Sequence, residues 1–162
     1  MSLTTAQDLL AAHPFLNGIT EERLARLSTW ARRSPFHAGL RVFSEGGHAD
    51  RFWLIRDGKI RLVAQVPGRG DVEIGMLGPD TVLGWSWLFP PYRWHFGAIA
   101  VEPTLTVELD GAGVRRLCDS DPALGYDLTQ RFIRVVVQRL QATRARLLNG
   151  PAGLSAPSND IC

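Results

Sequence analysis

The sequence predicts an α+β domain, in which a β jelly-roll barrel follows short helices and precedes one long helix. Three observations lead to this fold class. Short segments between residues 34 and 110 alternate apolar and polar residues, as strands with one buried face do. Glycine and proline turns separate these segments. The flanking segments repeat apolar residues every three or four positions, as helices do. The 162 residues are enough for one domain with a hydrophobic core.

The N-terminal part contains signals for two helices. Thr4 or Thr5 can cap a first helix that runs through Ala12 and ends before Pro14, because a proline disfavours helical geometry at the preceding residue. A second helix is predicted from Thr20, with acidic residues in its first turn, where negative charge suits the positive helix end.

The strands that follow differ in how much of each is apolar. Residues 52–55 are apolar on both faces, so this strand should be the most deeply buried. Asp57-Gly58 lies between two strands and is a typical short-hairpin signal. One apolar face is predicted for each of the alternating strands, which comprise Ile60, Leu62 and Ala64; Val72, Ile74 and Met76; and Leu105, Val107 and Leu109.

The C-terminal part becomes helical again. A short helix is predicted from Gly111 to Asp119, and a long helix over about residues 122–148, capped near Asp121. The apolar stripe of the long helix extends past anything a small barrel can bury, so it is expected to pair with a second copy in a homodimer. The alternative is a long helix packed only within its own chain. Residues 1–149 form the predicted domain, and residues 150–162 a disordered tail.

Composition excludes several classes of function. No apolar run is long enough to span a membrane, and no signal peptide is evident, so a cytoplasmic protein is expected. Cys118 and Cys162 are far apart, and the histidines show no metal-ligand spacing. No catalytic motif is present, so we expect neither an enzyme nor a metal site. The long helix carries five arginines against Asp127 alone, which indicates either a solvated face or a surface for an acidic partner.

Several stretches together resemble a known family. They are Pro14 to Glu22, Val42 to Ile60, Gly78-Pro79-Asp80 and Ala100 to Thr104. Over about residues 9–148 the chain resembles the cyclic nucleotide-binding domain of the catabolite activator and FNR type of regulator. The resemblance implies a cupin-like jelly roll with a short phosphate-cassette helix and a long dimerisation helix. It also implies a regulatory ligand of the cAMP or cGMP kind and no certain cofactor.

The cassette of that family binds the cyclic phosphate at a glycine-headed turn of helix. A glutamate after the glycine accepts from the ribose 2′-hydroxyl, and a later arginine, followed by a hydroxyl residue, contacts the phosphate. Gly84 fits the glycine, but Trp85 holds the glutamate position. Counting back from residues 100–103, Trp94 holds the arginine position and His95 the hydroxyl position. Arg93 is one residue away and can supply the missing charge.

The predicted ligand site therefore has two parts. Phosphate contacts are expected from Gly84, Ser86 and Arg93, and the purine or ribose side from Trp85 and Trp94. Trp87 and His95 complete the set. A different small ligand is one alternative.

A second alternative is that the tryptophans fill the pocket as core. The chain would then be a ligand-free interaction module for a protein partner. Only residues 149–162 follow the long helix, too few for a helix-turn-helix, so no DNA binding is expected of this chain.

Overall fold

The structure is a computed structural model that describes residues 4–149; the predicted tail at residues 150–162 lies outside this range. Eight strands form two antiparallel four-stranded sheets, with strand orders β1-β8-β3-β6 and β2-β7-β4-β5. The predicted α+β jelly roll with a long final helix is confirmed. The helices are α1 (Ala6–Ala12), α2 (Glu21–Ser28), α3 (Gly111–Ser120) and α4 (Pro122–Leu148), with short 3-10 turns at Pro14–Leu16 and Ser86–Leu88. The strands are β1 (Ala31–Phe36), β2 (Arg41–Phe43), β3 (Arg51–Asp57), β4 (Ile60–Val66), β5 (Gly70–Leu77), β6 (Val82–Leu83), β7 (Gly97–Ala100) and β8 (Thr104–Asp110).

The helix starts follow from their capping residues, as the sequence predicts. The Thr5 hydroxyl accepts from the Asp8 backbone N–H, and the Asp8 carboxylate accepts from the Thr5 N–H, which completes a capping box. The Thr20 hydroxyl caps α2 by accepting from the Arg23 backbone N–H, without a reciprocal contact. Asp121 caps α4, and its carboxylate also accepts from Arg23 Nε at 2.9 Å, which ties α2 to the start of the long helix.

Two hydrophobic clusters make up the core. One lies inside the roll and joins residues of both sheets, including Phe43, Trp53 and Leu62. The other lies between the β1-β8-β3-β6 sheet and the helices, and includes Phe52 and Phe132. Because β3 contributes alternate residues to both clusters, it is buried on both faces, as predicted.

The predicted Asp57-Gly58 hairpin is wrong. β3 pairs with β6 and β8, whereas β4 pairs with β5 and β7, so the two strands beside this turn belong to different sheets. Gly58 has φ +100°, and a Cβ there would lie 2.6 Å from Thr104 Cα. A glycine is therefore needed because two backbone segments meet closely at the corner. The β4–β5 pair forms the real hairpin.

The simple two-faced pattern also fails for two strands. The alternation predicts buried faces for Leu105 and Met76, but both are exposed. β8 is an inner strand whose polar face is covered too, so Thr106 and Glu108 are buried while Leu105 lies near its end. β5 is an edge strand, and Met76 borders the cavity beneath α4.

The long helix has both a buried and an exposed apolar side. Leu124, Leu128 and Phe132 pack into the helix-side core. Ile133, Val137, Leu140 and Leu147 remain about half exposed. The prediction that part of the stripe extends beyond the barrel is therefore confirmed. Among residues 4–149, none of the helices combines the length and hydrophobicity that a membrane crossing requires.

Candidate functional site

The glycine-headed turn predicted from the sequence lies directly after β6. Gly84 has φ +96°, a conformation that side chains other than glycine rarely adopt. A Cβ at this position would also lie 3.0 Å from Cζ3 of Trp94. Trp85 follows, and residues 86–88 make one turn of 3-10 helix. The backbone at Gly84 thus brings Trp85 and Trp94 to the two sides of the same turn.

Trp94 is part of the packed interior of the roll. Its ring stacks on Phe43 with centroids 3.9 Å apart and lies 5.9 Å from the ring of Trp53. Only 4% of Trp94 is exposed. One ring face is covered by Phe43 and the ring edge abuts Gly84, so little of Trp94 is left to stack on a purine.

Trp87 and Ser86 are also buried, but in different surroundings. Trp87 stacks on Phe52 at 4.6 Å and meets Phe132 edge to face, in the helix-side core. Ser86 Oγ lies 2.9 Å from Nδ1 of His95, within hydrogen-bond distance. Trp87 therefore packs the turn onto the core, and the Ser86 hydroxyl is already engaged by the chain.

Trp85 is less enclosed than Trp87 and Trp94. It is half-buried, and its ring stacks on His95 at 4.8 Å and on Phe89 at 5.8 Å. Its Nε1 is buried without a hydrogen-bond partner among the described residues. A buried donor without an acceptor is costly, so this indole N–H is a candidate contact for a ligand acceptor.

Arg93 lies outside this arrangement. Its side chain is exposed, and its Nη1 donates to the Gly46 carbonyl oxygen at 3.4 Å. The backbone of Arg93 bridges to His48, which fixes the segment against the loop before β3. The exposed side of this segment holds Arg93 and His95, whereas Trp94 between them points inward. The geometry does not support the predicted phosphate contact by Arg93.

A cavity of about 310 Å³ lies between the roll and α4, and Trp85 forms part of its wall. We call it the helix cavity. Its volume is at the lower end of those typical of small-molecule sites. The walls are largely apolar and come from β4, β5 and the second half of α4. They include Leu62, Ile74, Met76, Trp85, Phe96, Val136, Arg139, Leu140 and Thr143.

Arg139 is the charged residue that lines the helix cavity, and no local sequence signal distinguishes it from the other arginines of α4. Its Nη2 donates to the Val82 carbonyl oxygen at 3.0 Å, while its Nε is buried without a partner. It forms no ion pair with any other residue in the described range. Burial lowers the pKa of Arg139 to about 10, so the guanidinium stays charged at neutral pH. An unpaired cation in an apolar wall favours an anionic ligand.

Other arginines of the long helix are used within the chain. Arg131 Nε donates to Asp127 at 2.8 Å, and its Nη1 donates to the Phe15 carbonyl oxygen at 2.7 Å. Arg146 Nη2 donates to Glu73 on β5 at 2.6 Å. These contacts dock α4 on the roll and the N-terminal turn. The arginine series that the sequence treats as one solvated or partner-binding face is therefore divided among several intramolecular roles.

A separate cavity of about 390 Å³ is bordered by Trp53 and Trp94, among other residues. The charged groups around it are already paired. Glu108 is buried and accepts from Arg32 Nε at 2.6 Å, Trp53 Nε1 at 3.1 Å and Arg51 Nη1 at 3.4 Å. This carboxylate therefore stabilises the roll and leaves little unmet hydrogen bonding for a ligand.

Comparison with known proteins agrees with the fold. A family model described as the cyclic nucleotide-binding domain matches residues 33–121. A CRP-like cAMP-activated global transcriptional regulator of Mycobacterium tuberculosis is 24% identical over 140 residues, which cover 86% of this chain and 61% of the regulator. This chain thus spans about three fifths of the length of that curated relative.

Solved structures show the same fold. A putative cyclic nucleotide-binding protein from Geobacter metallireducens matches with a TM-score of 0.75 and 25% identity, over 83% of this chain and 97% of the other. A cyclic nucleotide-binding domain from Methylobacillus flagellatus matches with a TM-score of 0.75 and 18% identity, over 93% and 84%. These relatives are ligand-binding and regulatory proteins rather than enzymes, in agreement with the prediction from the sequence. The chain belongs to the cyclic nucleotide-binding domain family.

Proposed function

We propose that this chain is a cytoplasmic regulatory sensor that binds a cyclic nucleotide of the cAMP kind, or a related small ligand, in the helix cavity. The observation that carries the proposal is that Arg139 and Trp85 line the same cavity. Both present buried N–H groups without an acceptor from residues 4–149. A ligand with an anionic group and a flat apolar part meets both needs.

The charge on Arg139 takes the role that the sequence analysis gave to Arg93. A guanidinium binds phosphate oxygens through charge-assisted hydrogen bonds, and these are stronger where water is excluded. Apolar neighbours such as Ile74, Phe96 and Val136 provide a surface for a purine ring. Gly84 and Ser86 shape the turn that positions Trp85.

Ligand binding reaches the long helix through the same arginine. Arg139 connects α4 to β6 through the Val82 carbonyl oxygen, and Arg146 connects α4 to β5 through Glu73. An anion that draws the Arg139 guanidinium into the cavity competes with the Val82 contact. The helix position then depends on occupancy, provided that the ligand prefers one position over the other.

We also propose that the signalling form is a homodimer joined through α4. Ile133, Val137, Leu140 and Leu147 recur at spacings of three, four and seven, which places them along one seam of the helix. Their exposed fractions lie between 44% and 57%, which is high for apolar residues so regularly placed. Ile133→Glu combined with Val137→Glu should convert a dimer into a monomer in analytical ultracentrifugation. Gln138→Glu is the control that adds one negative charge elsewhere on the helix.

Isothermal titration calorimetry with cyclic AMP and cyclic GMP tests the ligand proposal. The native chain should bind one of them with micromolar affinity, and Arg139→Gln should weaken binding about tenfold or more, the usual loss for a charged hydrogen bond. Arg93→Ala removes an exposed arginine and should leave binding unchanged. No heat at two temperatures and high ligand concentration would contradict the proposal. Loss of binding in Arg93→Ala alone would return the phosphate contact to Arg93.

A ligand-free interaction module is the second candidate function. The stack of Phe43 on Trp94 favours it, because this stack fills the interior of the roll with aromatic rings. Under this alternative, neither nucleotide binds, and the dimer and its partner contacts do not respond to Arg139→Gln. The same titrations therefore distinguish the two functions.

A further inference from the structure

A second groove lies next to the helix cavity along α4, and Arg139 borders both. It has a volume of about 330 Å³ and is bordered by the N-terminal 3-10 turn, the loop between β5 and β6, and the helix. We call it the arginine groove. Its functional groups come from Phe15, Asp80, Arg131, Arg134 and Gln138, and Arg139, which donates to the Val82 carbonyl oxygen, lies at the border with the helix cavity. Arg131, Arg134 and Gln138 are spaced three and four residues apart, so they share one helix face.

The positive charge of the arginine groove is only partly neutralised. Arg131 is paired with Asp127 and is held in place by the Phe15 carbonyl oxygen. Arg134 is exposed, and within residues 4–149 it makes no hydrogen bond or ion pair. Asp80 provides the one carboxylate among the lining residues, and it too has no ion pair within the described range. A free guanidinium therefore borders a concave surface beside a second guanidinium that is already oriented.

We propose that the arginine groove binds a small phosphate monoester with an aromatic or otherwise apolar organic part. Guanidinium groups match the geometry of phosphate oxygens, and the Gln138 amide adds a further donor on the same face. Phe15 and Pro14 provide an apolar wall for the organic part. This site goes beyond the proposed nucleotide sensor, because neither Trp85 nor the interior of the roll contributes to it.

Asp80 allows a test in which binding should become stronger, besides the test at Arg134 in which it should become weaker. Its carboxylate repels a bound phosphate, so removing its charge should strengthen binding. Asp80 has φ +69°, a conformation that asparagine also tolerates. Asp80→Asn therefore changes the charge of the groove with little effect on the backbone. Arg134→Gln removes the free cation, and Arg69→Gln, in the distant β4–β5 turn, removes the same charge from another exposed position.

Phenyl phosphate and inorganic phosphate are the probes. Their binding is measured by calorimetry and by ¹H–¹⁵N spectra. We expect phenyl phosphate to bind more tightly than inorganic phosphate and to shift the amide resonances of Thr81 and Gln138. Arg134→Gln should weaken binding about tenfold, Arg69→Gln should leave it unchanged, and Asp80→Asn should strengthen it severalfold.

Three results would overturn the proposal. They are the absence of saturable binding at millimolar probe, equal losses in Arg134→Gln and Arg69→Gln, or a shift of the Trp85 indole resonance in place of the groove amides. Far-ultraviolet circular dichroism establishes that each variant is folded. Cyclic AMP binding in the helix cavity is measured separately, so failure of one proposal leaves the other standing.

Discussion

Trp85 and Trp94 come from the same short stretch of sequence, yet the structure uses them in opposite ways. Trp94 points into the roll and is enclosed by Phe43, Trp53 and the Gly84 backbone. Trp85 lies at the boundary with α4, where its indole N–H has no partner within residues 4–149. In the roll, Trp53 Nε1 donates to Glu108, whereas Trp85 and Arg139 in the wall of the helix cavity each keep a buried N–H without a partner in the described range. This difference locates the candidate ligand site beside the long helix rather than within the roll.

The free energy of unfolding should separate the two tryptophans most strongly. Trp94→Ala removes a fully packed ring and should cost about 3–5 kcal/mol. Trp85→Ala removes a half-buried ring at a cavity edge and should cost only about 1–2 kcal/mol, because less apolar surface is lost. Urea denaturation followed by circular dichroism measures both. Equal losses would mean that the helix cavity is packed as tightly as the roll.

A matched pair of glycine substitutions tests how closely Trp94 is packed. Gly84 and Gly39 have similar positive φ values of +96° and +89°, so alanine is strained by about 1–2 kcal/mol at either position. A Cβ at Gly84 meets the Trp94 ring, whereas a Cβ at Gly39 meets nothing within 4 Å. Gly84→Ala should therefore destabilise the fold by about 1–3 kcal/mol more than Gly39→Ala. Equal unfolding free energies would show that the ring yields easily.

Arg139 should contribute little to the free energy of unfolding, although it should be needed for binding of cyclic AMP. Arg139→Met removes a desolvated charge and one hydrogen bond to Val82, two effects of opposite sign. We expect the free energy of unfolding to change by about 1 kcal/mol or less, while binding of cyclic AMP is lost. The denaturation and calorimetry experiments are run on the same preparation. A loss of several kcal/mol would instead make Arg139 a structural residue.

The smallest expected effect is on the pH dependence of stability. It concerns His13, which helps to hold the helical layer on the roll, and the helix cavity depends on that docking. His13 Nδ1 accepts from the Phe15 N–H, and its Nε2 lies 3.0 Å from the Ile55 carbonyl oxygen. Burial lowers the pKa of His13 below its usual value of 6.5. The unfolded chain therefore binds a proton first as pH falls, and this contribution to stability is complete above about pH 6.5 and declines below it.

Denaturation at pH 7.5 and pH 5.5 measures this dependence. The native chain should be less stable at the lower pH, and His13→Gln should reduce the difference. The same substitution at exposed His37 is the control. If His37→Gln reduces the pH dependence equally, docking of the helical layer is not what His13 controls.

Local rules predict much of the fold. The caps at Thr5, Thr20 and Asp121 depend on neighbours three residues away, so the sequence is sufficient to locate these helix starts. Asp57-Gly58 shows the limit of such rules. The dipeptide is typical of hairpins, but the close approach of the Thr104 backbone, a long-range contact, makes this turn a corner between two sheets.

The candidate site was predictable only in part. The turn at Gly84 and the proximity of Trp85 follow from the sequence and the family resemblance. Arg139 does not, because its burial depends on how the second half of α4 docks on β5 and β6. In the sequence it is one of five arginines on a helix, and nothing local distinguishes the buried one. Arg93 is predicted to contact the phosphate because it is close in sequence, but the segment that its backbone bridges to His48 leaves its side chain exposed.

The most direct test of the contrast is a ¹H–¹⁵N spectrum of the tryptophan indole N–H groups during titration with cyclic AMP. Trp85→Phe and Trp94→Phe assign the two critical resonances. The Trp85 resonance should shift with saturation while those of Trp94 and Trp53 stay in place. A shift of Trp94 without Trp85 would place the ligand inside the roll, and no shift at millimolar ligand would mean that the helix cavity does not bind it; either result contradicts the account.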